Sequence, residues 1–108
     1  MKMFGILAAA TLALIALAPA SQAASFGCDG KLTYTERAIC DNPNLSKLDS
    51  QMARRYRQVI NSVSYGQRRH VQHDQIVWLG SRNACGANVD CIEQAYRYRM
   101  SVLNPGGY

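Results

Sequence analysis

The chain has 108 residues, with 12 Lys and Arg against 7 Asp and Glu, for a formal net charge of +5. This length holds a single hydrophobic core and excludes a multidomain enzyme. The positive excess is too modest to mark a dedicated nucleic-acid binder.

Residues 1–23, MKMFGILAAATLALIALAPASQA, carry one Lys, then a continuous apolar stretch from Met3 to Ala18, then Pro19 and a small-residue exit. That is the layout of a secretory signal peptide, with Ser21 and Ala23 suited to a cut after Ala23. The apolar run falls short of the roughly 20 residues that span a bilayer. Ser25-Phe26-Gly27 before Cys28 is a poor lipoprotein signal. The expectation is an exported domain of residues 24–108, periplasmic or secreted, with no integral membrane association. Without Lys2 it carries 11 cations, all but two of them Arg, against 7 acids, a net charge of +4.

Ordering a chain costs about 1.5 kcal/mol per residue, which a core of this size barely offsets, so covalent ties are expected. Cys28, Cys40, Cys85 and Cys91 supply them. Eleven residues separate the first two and five the second two. Zinc sites want pairs two to four apart, and a redox motif wants two intervening residues. Neither pattern is present, so disulfides are predicted. Four cysteines allow three connectivities. The local pairs 28–40 and 85–91 are favoured because each brackets one short turn, with its ends already close. Each contributes roughly 2.5 to 3 kcal/mol on chain-entropy grounds.

The apolar spacing is helical nearly throughout. Thr33-Tyr34-Thr35-Glu36 is a capping-box pattern opening a short helix that ends near Cys40. Asp41-Asn42-Pro43-Asn44 breaks the chain, and Ser46-Lys47-Leu48-Asp49 starts the next helix. Its stripe is Leu45, Leu48, Met52, Tyr56, Val59 and Val63. Ser64-Tyr65-Gly66 stops it. A third helix is predicted from Gln67 to Ala84, with Val71, Trp78 and Leu79 inward. Asn88 caps a fourth, with Asp90 and Glu93 in the first turn, where the helix dipole favours acids. Its inner face is Val89, Ile92, Tyr96, Met100 and Leu103. Asn104-Pro105-Gly106-Gly107 closes the chain. The fold class is all-α: a small disulfide-stapled bundle of three main helices plus one short N-terminal helix.

Polar residues interrupt those inner faces. Asp49, Gln75, Arg82 and Arg99 fall on or beside the apolar stripes. Buried charges must be paired. A structural network is expected in which Asp49 or Glu36 meets Arg82 or Arg99, with Gln75 alongside.

The string CDGKLTYTERAICDNPNLSKLD, followed by Tyr56, QIVWLGSRNAC, Cys91 and AYRYRM, resembles the N-terminal helical domain of the LprI-type lysozyme inhibitor family. The likeness spans about residues 26–103 of the chain. It implies a small disulfide-bonded helical domain outside the cytoplasm and inhibition of lysozyme. It implies no catalytic residues.

An enzyme would need a nucleophile with its base, or paired carboxylates, in a pocket. Oxidised cysteines offer no thiolate, and the acids are scattered, so no enzymatic activity and no cofactor are expected. His70 and His73 share one side of the third helix but lack an obvious third ligand, so no metal site is expected. Arg54, Arg55, Arg57, Arg68 and Arg69 make a basic surface, read as solubilising; nucleic acid is not an expected partner of an exported chain. The function read here is a protein-binding inhibitor, of lysozyme or a related cell-wall-cleaving glycosidase, that occludes its target's cleft. Gly86, Ala87 and Asn88, held between Cys85 and Cys91, form the expected binding loop, since a rigid loop loses little entropy on docking. Lysozymes of animals are generally basic, so Asp41, Asp49 or Asp90 would face such a target. The alternative is a non-inhibitory envelope protein that binds anionic polymers or metal.

Overall fold

The structure, a computed structural model, describes residues 24–104 and Tyr108. The leader reading and Pro105-Gly106-Gly107 lie outside the described residues. Four helices follow in order: α1 (Tyr34–Asp41), α2 (Pro43–Ser62), α3 (Tyr65–Asn83) and α4 (Val89–Val102). Among the described residues there is no strand. The molecule is a disulfide-stapled all-α bundle of three long helices and one short one. No helix among the described residues is long and apolar enough to cross a membrane.

Local chemistry sets each helix start. Glu36 N–H donates to Thr33 Oγ1 at 3.0 Å, and Thr33 N–H donates to Glu36 Oε1 at 2.9 Å, a complete capping box. α1 stops because Asn42 turns extended ahead of Pro43. Asn42 then caps α2: its Oδ1 accepts from the N–H groups of Asn44 (2.9 Å) and Leu45 (3.1 Å), with Pro43 at the first helical position. α2 therefore begins ahead of Ser46. An Asn cap followed by Pro satisfies the exposed donors earlier than Ser46 would. Ser46 is instead buried within α2, and its Oγ donates to Ile39 O at 2.6 Å, answering a carbonyl in the last turn of α1.

α3 also starts earlier than expected. Ser64 caps it by accepting from Gln67 N–H at 3.3 Å, which places Tyr65 and Gly66 in the first turn. After Asn83 the chain turns through Ala84 and through Gly86 at φ +58°, and Asn88 Oδ1 accepts from Cys91 N–H at 3.0 Å to start α4.

The core is Ile39 from α1, Leu45, Leu48, Met52 and Val59 from α2, Val71 and Trp78 from α3, and Ile92 and Tyr96 from α4, closed by Leu103. Tyr56, Val63, Leu79 and Met100 lie half-buried at its margins. Val89, expected inward, is 40% exposed in the first turn of α4. Trp78 and Tyr96 meet edge to face with centroids 5.3 Å apart. α4 and α1 both pack on α2 and α3. Cys28–Cys40 ties the segment before α1 to its last turn (Cα–Cα 5.9 Å), and Cys85–Cys91 closes the α3–α4 turn (Cα–Cα 5.6 Å).

Candidate functional site

The buried polar residues form two relays of one kind. In the first, Tyr96 of α4 donates to Asp49 Oδ1 at 2.7 Å and accepts from Arg82 Nη1 at 3.1 Å. Arg82 and Asp49 themselves approach to 3.8 Å. Asp49 Oδ2 accepts from Ser25 N–H at 2.6 Å, and Arg82 Nε and Nη2 both donate to Asn83 Oδ1, at 3.1 and 2.9 Å. The guanidinium also lies within 6.0 Å of the ring centres of Phe26, Trp78 and Tyr96. Burial first, then the neighbouring Asp49 carboxylate, pushes the Tyr96 phenol well above its ordinary value.

The second relay runs from Arg99. Its Nε donates to Gln75 Oε1 at 2.9 Å, and Gln75 Nε2 contacts Met52 Sδ at 3.3 Å. Arg99 Nη1 donates to the Tyr108 hydroxyl at 3.3 Å, which donates to Asp74 Oδ2 at 3.4 Å. Of the residues predicted to form one network, Asp49 joins Arg82 and Gln75 joins Arg99. Glu36 stands apart, half-buried and committed to the capping box. Helical spacing places Tyr96 on the apolar face of α4, and nothing in that spacing marks its hydroxyl as the group that joins two charges. Asp49 is 1% exposed and cannot face a target, whereas Asp41 and Asp90 are exposed.

The Gly86-Ala87-Asn88 turn is anchored from several directions. The Cys85–Cys91 bond closes it. Thr35 of α1 donates its hydroxyl to Gly86 O at 2.6 Å and approaches Asn83 O at 3.2 Å. Gly86 N–H donates to Asn83 O, and Asn88 N–H to Cys85 O, both at 3.2 Å. Ala87 and Asn88 are left exposed, with Val89 and Asp90 beside them. Thr35 also brings α1 to this end, where its chain neighbour Tyr34 is 82% exposed. The placement of α1 against this turn rests on a contact 51 residues away and leaves no mark in the local spacing.

A groove of about 580 Å³ opens between α3 and α4. Val77, Trp78, Ala95, Tyr98 and Val102 make its walls, Cys85 and Cys91 one end, and Asp74 and Arg99 the other. Trp78 Nε1 donates to Ala95 O at 3.0 Å, which holds the indole across its floor. Val77 and Tyr98 are 56% and 66% exposed, apolar area that the helical stripes did not predict at the surface.

His70 and His73 are exposed and both address Asp74, His70 Nε2 at 3.4 Å and His73 Nδ1 at 4.0 Å. Among the described residues no group of three or more His, Cys, Asp or Glu is arranged to hold a metal ion. Arg54 and Arg57 are exposed, while Arg55 Nη1 donates to Met100 O at 3.0 Å near the end of α4. Comparison with known proteins finds no matching family model, no matching curated protein and no matching solved structure.

Proposed function

We propose that this chain is an exported inhibitor of lysozyme or a related cell-wall-cleaving glycosidase, acting by insertion of the Gly86–Asn88 turn into the target's cleft. The supporting observation is the rigidity of that turn: a disulfide, an inter-helix hydrogen bond from Thr35 and a helix cap all restrain three residues whose tip is exposed. A loop already fixed gives up little entropy on docking. Tyr34 adds an exposed aromatic of the type that anchors protein interfaces, and Asp90 adds a negative charge suited to a basic target. The resemblance to the LprI-type inhibitors supports the same reading. Export supplies the oxidising surroundings in which both disulfides persist.

A turbidity assay of wall lysis by lysozyme tests it, with the purified residue 24–108 protein titrated in. Lysis should slow in proportion to occupancy, and Ala87→Trp, which enlarges the tip without touching the core, should relieve inhibition. Undiminished lysis at every dose by protein whose circular dichroism shows it folded would refute the reading for that enzyme.

A further inference from the structure

α2 and α3 carry two acids between them, Asp49 and Asp74. Asp49 is buried in the relay with Tyr96 and Arg82. Asp74 lines the groove toward α4 and is engaged by His70, His73 and Tyr108. The same two helices carry the exposed Arg54, Arg57 and Arg69 and the half-buried Arg68. Among the described residues none of these four pairs with a carboxylate.

Helical geometry gathers them on one side. Tyr65, Arg69, Gln72 and Ile76 follow at steps of four, three and four, a single stripe of α3 at about 100° per residue. Continued by three and four, the stripe passes through Leu79 and Asn83, which line a cavity with Ala53 and Arg57 of α2. It is therefore the side of α3 that adjoins α2. Asp74, nine positions from Tyr65, points half a turn away. Arg54 and Arg57 line a shallow depression together with Ser50 and Ala53. Gln75 meets Met52 at 3.3 Å, which sets the antiparallel register of the two helices. Arg57, five positions after Met52, is thus level with His70, five before Gln75, and beside Arg69. This α2–α3 face holds the four Arg and no exposed acid.

A charged helix face ordinarily keeps a protein in solution. This one also exposes two large apolar side chains in the stripe that carries Arg69, Tyr65 at 77% and Ile76 at 68%. A soluble polyanion would satisfy the guanidinium groups and leave those side chains in water. The headgroup region of a bilayer accommodates both, since binding there grows with inserted apolar area and with attraction to anionic lipid.

We propose that the α2–α3 face seats the protein peripherally on an anionic lipid surface. Arg54, Arg57, Arg68 and Arg69 contact headgroup phosphates, and Tyr65 and Ile76 enter the boundary between headgroups and acyl chains. Tyr65 opens α3 and the Gly86–Asn88 turn follows its far end, so this surface is separate from the turn assigned to the protein target. Neither assignment depends on the other.

The residue 24–108 protein contains all four described helices and omits the apolar stretch Met3–Ala18, which would bind lipid by itself. It would be sedimented with vesicles of phosphatidylcholine containing about 30 mol% phosphatidylglycerol, and with vesicles of phosphatidylcholine alone. The protein should sediment with the anionic vesicles, stay in solution with the neutral ones, and be released as salt rises from about 50 to 200 mM. Each Arg at an anionic surface contributes about fivefold to partitioning, so Arg57→Gln with Arg69→Gln should lower it about twentyfold. Lys31→Gln with Arg37→Gln, the same loss of charge at the α1 end, should lower it less than about twofold. Tyr65→Ser should weaken binding several-fold with no change of charge. All five side chains are exposed, and circular dichroism checks that each variant is folded. Equal losses in the two double variants would reduce the effect to net charge and overturn the face. Wild-type binding by Tyr65→Ser would overturn the lipid assignment in favour of a soluble polyanion. Folded protein that stays in solution with the anionic vesicles would overturn the proposal outright.

Discussion

Asp49 on α2 and Arg82 on α3 stand 3.8 Å apart inside the core, and the Tyr96 hydroxyl of α4 bonds to both. One polar unit thus joins the three long helices. Apolar contacts tolerate small slippage of one helix along another; three hydrogen-bonding groups that must coincide do not. The same unit reaches the segment before α1 through Ser25 N–H and the stacking of Phe26 near Arg82.

Removing one charge of this pair should be far more damaging than removing a surface charge. Arg82→Ala leaves Asp49 buried without its cation and should cost about 3 to 5 kcal/mol. Arg54→Ala, on the exposed face of α2, should stay within about 0.5 kcal/mol. At about 4 to 8 °C per kcal/mol for a domain of this size, the two variants should differ by well over 10 °C in thermal melts. Matching melting temperatures would remove the relay from any structural role.

The raised Tyr96 phenol makes a prediction at alkaline pH. The folded state holds this proton more tightly than the unfolded chain, whose ordinary value is 10.0. Its contribution is therefore complete below pH 10 and is lost as pH rises beyond it, because the unfolded state then releases a proton the folded state retains. Tyr56, also raised by its burial, acts in the same direction. Urea denaturation should show stability falling above pH 10 by up to about 1.4 kcal/mol per pH unit on account of Tyr96. Tyr96→Phe should be about 1 to 3 kcal/mol less stable at neutral pH, with a shallower alkaline decline. An unchanged decline in that variant would mean that Tyr96 is not its source.

The turn should loosen without unfolding the bundle. Thr35→Val removes the hydroxyl that donates to Gly86 O and should cost about 1 kcal/mol. Hydrogen exchange at residues 86–88 should accelerate while helical circular dichroism is unchanged. Gly86 has φ +58° with open space around its missing Cβ, so Gly86→Ala should cost about 1 to 2 kcal/mol through backbone conformation alone, and Gly86→Asn less. Under the proposed docking of this turn, inhibition should weaken in step with the loss of exchange protection.

Asn42 is the hinge between α1 and α2, and Asn42→Ala should cost about 1 kcal/mol by leaving two N–H groups of α2 uncapped. Ser46→Ala removes the hydroxyl donated to Ile39 O and should cost a similar amount. If Ser46 were instead the cap, Asn42→Ala would leave chemical denaturation unmoved.

Salt separates turn-driven docking from capture of an anionic polymer by Arg54 and Arg57. Inhibition through the turn should change little between about 50 and 200 mM salt, whereas binding through phosphate-like contacts falls steeply over that range. A steep fall would reassign the activity to the basic face of α2.

The sequence by itself determined what depends on near neighbours along the chain. Caps at Thr33 and Asn88, the stripe from Leu45 to Val59 and two disulfides spanning 12 and 6 positions all arise within a few turns of backbone. It also showed that Asp49, Gln75, Arg82 and Arg99 would face inward, because helical periodicity alone places them there. Only the tertiary structure decided who meets whom. Asp49 finds Tyr96 47 positions away, Arg99 finds Gln75 24 positions away, and Thr35 reaches Gly86 across 51. Those pairings depend on the rotation and stagger of whole helices, which are set by the summed packing of the core and leave no local mark. The same packing opens the groove between α3 and α4.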